Sequence, residues 1–352
     1  MDTPYQIDFT GSLYMSDFYD DIIPKIRDHY HNHREKILIF NFSDLRFISP
    51  NIVPNLLNIA DIYKKNFRKE RSIELILSYN RDLLSFLDFV SFFKLSDDLE
   101  LFSYNHDMIG DLKEKSTDNC SLFFSKANSG EDEINNECDE LMKNMKRCIE
   151  IEKDIKEQED TFKEIFFHLI HNANDKDRGN SNAYGSFKVN SYDKDQRKKY
   201  DSLDKKSSPN RAYIAVCDNG VGIMHSINEQ FKNEKAKPYF TKYNKTAFYY
   251  ILEAIFWRKI NPPFPFIHGL YDVTKIVLER GGQIGINSDK TYIVFNKYFL
   301  KTFLVLTKAI ARNEEPDSAT LAELKEMNIK KTKYKVYRGV HIDIEMPLEW
   351  KQ

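Results

Sequence analysis

RAYIAVCDNGVGI, residues 211–223, is the most informative segment of the chain. An apolar, β-rich run ends at Asp218, and Gly220 and Gly222 follow at alternate positions. A carboxylate at a strand end can accept a hydrogen bond from a ligand amino group. Glycines beside it let the backbone turn and approach a flat ring where a Cβ would collide. Alone, the same pattern also describes an ordinary turn.

Upstream, GSFKVNSY (185–192) reads as a strand, followed by the polar DKDQRKKYDSLDKKSSPN (193–210). Strand, polar segment and strand predict a hairpin with a long connection. Further upstream, FHLIHNAND (167–175) lies on a predicted helix. At 3.6 residues per turn His168, Asn172 and Asp175 share a face, with His171 beside them. Such a face can serve a nucleotide, meet solvent, or hold a metal through His168, His171 and Asp175. Downstream, GLYDVTKIVLERGGQIGINS (269–288) predicts a helix opening at Gly269, closed by Gly281-Gly282 and followed by a strand. Free N–H groups at such a helix start can meet phosphate.

In this order the segments resemble the nucleotide-binding domain shared by gyrase, Hsp90, histidine kinases and MutL, the GHKL superfamily. LIHNAND (169–175) is similar to its first motif and DNGVG (218–222) to its second. The Gly269 helix with its GG-strand is similar to the third, and RGVHIDIEMPL (338–348) to the closing strand. The resemblance implies an ATP-binding domain over 134–352, a two-layer α/β sandwich with a mixed sheet. It implies that Asn172 coordinates Mg²⁺, that Asp218 accepts from the adenine amino group, and that Gly220 and Gly222 flank the base. Gly269 and Leu270 would meet the phosphates, Asp175 and Lys176 would join the nucleotide-contacting set, and 224–268 would form a lid.

Three departures bear on activity. His168 stands where ATP-hydrolysing members carry Glu, PFPFIHGL (263–270) keeps only Gly269 of the lid's glycine cluster, and Val340 replaces a Thr that binds an adenine-site water. A neutral imidazole can act as a base near pH 7. No histidine is followed by the E/D-x-x-x-P pattern of a phospho-acceptor box, which argues against an autophosphorylating histidine kinase.

Residues 36–103 alternate strand and helix, through KILIFNF (36–42), an amphipathic helix at 52–67, SIELILSY (72–79), a helix over 81–95 and LELFSY (99–104). That order predicts βαβ units and parallel pairing. The unit 1–104 resembles a STAS domain, the anti-sigma-antagonist fold, with Ser49-Pro50-Asn51-Ile52 where that family carries a phosphorylatable Ser-Ser-Gly. A generic α/β interaction domain is the alternative. The polar 105–133 reads as a linker, and a long helical pattern starts at 134.

The chain's 352 residues suffice for two domains, and 41% hydrophobic with 14% aromatic residues implies globular cores. A net charge of −2 supplies no drive toward nucleic acid or anionic membrane. The start MDTPYQIDFTG has neither the basic flank nor the apolar core of a signal peptide. Cys120, Cys138, Cys148 and Cys217 lack metal or disulfide spacing, so a cytoplasmic chain with reduced thiols is expected. The functional expectation is an ATP-binding regulatory protein whose nucleotide state gates contacts with a protein partner or a second copy. The alternatives are an active ATPase or protein serine kinase using His168 as base, and a scaffold that binds no nucleotide.

Overall fold

A computed structural model describes residues 3–67, 72–110, 112, 120–148, 158–174, 181–190, 211–232, 236–262, 269–330 and 338–348. The chain is α/β, in two halves that share a face.

The first half runs β1 (Tyr5–Asp8), β2 (Gly11–Leu13), α1 (Met15–Asp17), a π turn (Phe18–Ile22) and α2 (Ile23–Asn32). Then come β3 (Leu38–Asn41), β4 (Leu45–Ile48), α3 (Ile52–Asn66), β5 (Ile73–Ile76), α4 (Arg81–Phe89), α5 (Phe92–Asp98) and β6 (Phe102–Ser103). Strands β1, β3, β5 and β6 form a parallel sheet in the order β1-β3-β5-β6, and β2 pairs with β4 in parallel. The helices between them supply the crossovers that parallel neighbours require. The run 81–95 is two helices rather than one. Ser91 adopts the left-handed conformation (φ 67°) between them. That break lets Leu83, Leu84 and Leu87 and then Phe92 and Phe93 enter one core.

The second half begins inside the expected linker. β7 (Cys120–Ser125) lies within 105–133, and α6 (Glu131–Cys148) and α7 (Glu159–Asn174) follow. Next are β8 (Ala183–Asn190), β9 (Arg211–Asp218), α8 (Ile223–Phe231), α9 (Ala247–Ile260) and α10 (Leu270–Glu279). The half closes with β10 (Gln283–Ser288), β11 (Thr291–Asn296), α11 (Leu300–Ala311), α12 (Ser318–Lys330) and β12 (Val340–Pro347). Six strands pair in the order β11-β10-β12-β9-β8-β7, every neighbouring pair antiparallel. The expected mixed sheet is therefore corrected to an antiparallel one. The reason lies in β12, which enters from the chain end between β9 and β10. Those two strands run the same way, and β12 opposes both.

Side chains alternate across this sheet. On β12 Ile342, Ile344 and Met346 join the core with α6, α7, α9, α10 and α11, while His341 and Asp343 point the other way, toward Tyr19 of the first half. α9 is buried from Phe248 to Trp257, so this helix is central to the front layer. α11 packs on it through Phe256 and Phe303, with ring centroids 5.0 Å apart. The first half covers the back. Its core takes in Cys120, Leu122, Tyr184 and Cys217 from the back of the six-stranded sheet.

α3 lies at that junction and is buried on all sides from Ile52 to Tyr63. Its apolar residues face mostly its own sheet, and each fully buried Leu or Ile stabilises the fold by about 1.5–3 kcal/mol. Its polar positions, read as a solvent face in an amphipathic pattern, are buried against the second sheet. Cys120, Cys138 and Cys217 are buried free thiols. Among the described residues no helix is long and apolar enough to cross a membrane.

Candidate functional site

β9 ends with Asp218 on the same face as Ala212, Ile214 and Val216, so the carboxylate reaches the front of the sheet where the apolar core stops. The turn after it is closed by that carboxylate: Gly220 N–H donates to Asp218 Oδ1 at 2.7 Å. Burial pushes the Asp218 carboxyl up to about 7, against the opposing pull of the Gly220 and Val340 N–H donors. β12 begins close behind. Gly339 has φ 82°, and a Cβ there would stand 2.0 Å from the Asp218 carbonyl oxygen, so only glycine lets the two backbones approach. The start of α8 is held by the β10–β11 turn, where Ser288 Oγ accepts from Ile223 N–H at 3.0 Å and Asp289 Oδ2 from Met224 N–H at 3.3 Å.

In front of Asp218 opens a narrow cleft with a cavity volume of about 80 Å³, inside about 680 Å³ of empty space that includes its mouth. Asn172 of α7, Asp218, Gly220, Gly222 and Leu270 line this one cleft. The sequence places them 98 residues apart from first to last, and the fold brings them together. Val340 and Ile342 form an apolar wall. Sequence reasoning missed Ser181, Ser226 and Ala254, which also line it. Ser181 lies just before β8, and Ala254 is the small residue among large ones on α9. Neither carries a motif that would have exposed it.

Two expected residues stand slightly apart. Gly269 caps α10 in the left-handed conformation (φ 61°), and a Cβ there would fall 2.1 Å from the Cγ of His168. The imidazole thus packs on the bare backbone at the start of α10 and is not among the groups lining the cleft. Burial lowers the His168 pKa, opposed by Glu164 and Asp272, so the ring is neutral near pH 7. Among the described residues its Nδ1 is buried without a hydrogen-bond partner, and its Nε2 lies 3.9 Å from Glu164 Oε1. Asp175 and Lys176 lie outside the described residues.

The expected lid, 224–268, is in large part core. α9 is buried from Phe248 to Trp257 and lines the cleft only through Ala254. Its Glu253 is a fully buried carboxylate that accepts from the N–H groups of Tyr239, Phe240 and Thr241 at 2.9, 2.8 and 3.0 Å. This fastens the chain before α9 to the helix. Residues 263–268 lie outside the described set. Among the described residues no group of three or more His, Cys, Asp or Glu side chains could hold a metal ion. The His168–His171–Asp175 alternative includes Asp175 and so falls outside the described residues.

Compared with family models, with curated proteins and with solved structures, the chain matches none of them.

Proposed function

We propose that this chain is an ATP-binding regulatory protein of the GHKL type, carrying a STAS-like unit on the back of its nucleotide-binding sheet. The observation that carries the reading is the single cleft lined by Asn172, Asp218, Gly220, Gly222 and Leu270. The chemistry of these groups suits the ligand. Asp218 offers a carboxyl oxygen at the end of an apolar wall, as a 6-amino purine requires. Guanine presents a carbonyl there, to which the ionised form of this carboxyl, populated as pH rises through about 7, offers no donor. The glycine-bearing turn admits a flat base.

Asn172, which lines the same cleft, would supply one amide oxygen to Mg²⁺. That ion keeps most of its octahedral shell from water and phosphate and asks little of the protein. Leu270 marks the first turn of α10, whose leading N–H groups are the local donors for phosphate. The work of the protein's own residues is therefore to select adenine at one end and to hold Mg-triphosphate at the other. Nucleotide state then gates contacts with a partner protein or a second copy.

Thermal unfolding of the full chain with and without Mg-ATP tests this. At 100 times the Kd the ligand adds about 2.7 kcal/mol. Asp218→Ala should abolish that gain, and Mg-GTP should give little of it. A midpoint unmoved by millimolar Mg-ATP would overturn the reading.

One observation favours a second activity on the same site. An ATPase or protein serine kinase with His168 as base needs a neutral imidazole, which burial favours here, and also needs that ring to reach the cleft, which it does not line. Phosphate release by the parent and by His168→Ala separates the two: turnover lost in the variant makes the protein an enzyme, and no turnover in the parent makes it a binder.

A further inference from the structure

The polar side of α3 is spent on the turn that carries Asp218. Asn58 Nδ2 donates to the Asp218 carbonyl oxygen at 2.9 Å. One turn on, Asp61 Oδ2 accepts from Asn219 Nδ2 at 2.6 Å and from Asn182 Nδ2 at 2.8 Å. Lys65 Nζ lies 3.0 Å from the same oxygen, and the Tyr184 phenol is a further neighbour of the carboxylate. The Asp61 side chain is 9% exposed, so these are bonds to a nearly buried charge. Asn182 in turn follows Ser181 of the cleft wall, and its Oδ1 accepts from Ala127 N–H at 3.0 Å. A single helix of the first half thus holds two consecutive residues of the recognition turn and the residue beside the cleft wall, all from behind the sheet.

Covering a sheet needs only apolar side chains, and Asn and Asp are weak helix formers. Two such residues bonded to Asp218 and Asn219 fix a geometry that apolar packing would leave free. Hydrogen bonds to a buried carboxylate are also directional and stronger than those between neutral groups.

We propose that Asn58 and Asp61 are positioning residues for the cleft: from the opposite face of the sheet they orient Asp218 toward the base, so that cleft occupancy and docking of the first half form one coupled equilibrium. This rests on the ATP-binding reading above. Coupling of this kind is reciprocal. Mg-ATP tightens the seating of the first half, and any partner that pulls α3 away weakens adenine binding.

The test uses the full chain and its Asp61→Ala, Asp61→Asn and Asn58→Ala variants, with ATP and GTP affinities measured by calorimetry. Asp61→Ala should raise the Kd for ATP about tenfold, the equivalent of about 1.4 kcal/mol, and shrink the ATP-over-GTP preference by a similar factor. Asp61→Asn keeps an oxygen acceptor and should recover most of both. A merely looser fold would weaken both nucleotides alike and leave their ratio intact.

Hydrogen exchange without nucleotide gives a second readout. The Gly220 amide should exchange faster in Asp61→Ala while β10 and β11 amides keep their parent rates. Should Asp61→Ala fail to fold, Asn58→Ala removes one neutral hydrogen bond and should still reduce the preference a few-fold. A parent that binds ATP, with variants of unchanged affinity and preference, overturns this inference and leaves the functional reading standing. A parent that binds no ATP brings down the functional reading and the inference together.

Discussion

The two faces of the six-stranded sheet use the same alternating strands for opposite ends. On the front, polar groups are few and gather at one rim, where Asp218 and Asn172 face a cleft. On the back, polar groups lie under the first half. Among the described residues Oδ2 of Asp343 is buried without a hydrogen-bond partner, and Asn287 and His341 are buried beside it. Tyr19 reaches in from the first half, its phenol 2.9 Å from His341 Nδ1. Buried polar groups left unpaired cost about 1–3 kcal/mol each. Access distinguishes the faces: the front polar groups can be completed by a ligand that comes and goes, whereas those behind are closed off by the chain itself.

The largest effect should follow from the front core. Trp257 is fully buried on α9, with the Phe231 ring 5.8 Å away. Trp257→Ala should cost about 3–5 kcal/mol in urea unfolding. A cost below about 1 kcal/mol would show that α9 behaves as the movable lid expected from the sequence and not as the front layer.

Next in size is a difference in pH response between the faces. Burial pushes Asp343 up to about 7, as it does Asp218 in front. A carboxyl raised this way stabilises the fold fully below its unfolded value near 4, and that contribution is lost as pH rises through 7. His341 works in the reverse sense. Burial lowers it to about 3, so its contribution is lost as pH falls from about 6.5, and it masks part of the slope in the parent. The informative comparison is therefore Asp343→Asn against parent. The variant should gain stability relative to the parent by about 1.4 kcal/mol per pH unit between pH 4 and 7, with little difference below pH 4. Mg-ATP should leave that gain unchanged, because Asp343 lies behind the sheet. A gain erased by nucleotide would mean that the faces are not separate in the way described.

Much of the front was legible in the sequence because its signals are local. Asp218 with Gly220 and Gly222, Gly269 before a periodic helix, and the β8–β9 hairpin all follow from backbone demands within a few residues. The parallel first sheet followed from strands alternating with helices. What stayed hidden was set by contacts distant in sequence. Asn55, Asn58 and Asp61 have the spacing of a solvent face, yet a second sheet covers them. Their short side chains, in place of Lys and Glu, are the one hint that such a face does not meet water. β7 stands between polar stretches, and its SLFF core is too short to separate a strand from a loop. The direction of β12 depends on where β9 and β10 already lie, which no local pattern encodes.

The smallest expected effect is the sharpest test of what the front rim is for. Val340 opens β12 on the cleft wall, one residue after the glycine pressed against Asp218, and its N–H helps to hold that carboxylate. Under the proposed reading, a hydroxyl at this place would hold a water against adenine. Val340→Thr keeps the β-branched shape and adds one hydroxyl facing the cleft. One net hydrogen bond, direct or through water, contributes about 0.5–1.5 kcal/mol, so the Kd for ATP should fall about two- to tenfold. Stability without ligand should change by less than about 0.5 kcal/mol. The same hydroxyl placed four residues on, as Ile344→Thr, has no cleft to face. Ile344 is buried in the front core, so there it should cost about 1–3 kcal/mol of stability and leave nucleotide affinity of the folded protein unchanged. If Val340→Thr instead destabilises the chain and leaves ATP affinity where it was, the wall at 340 is core like its neighbours, and adenine is not seated beside Asp218.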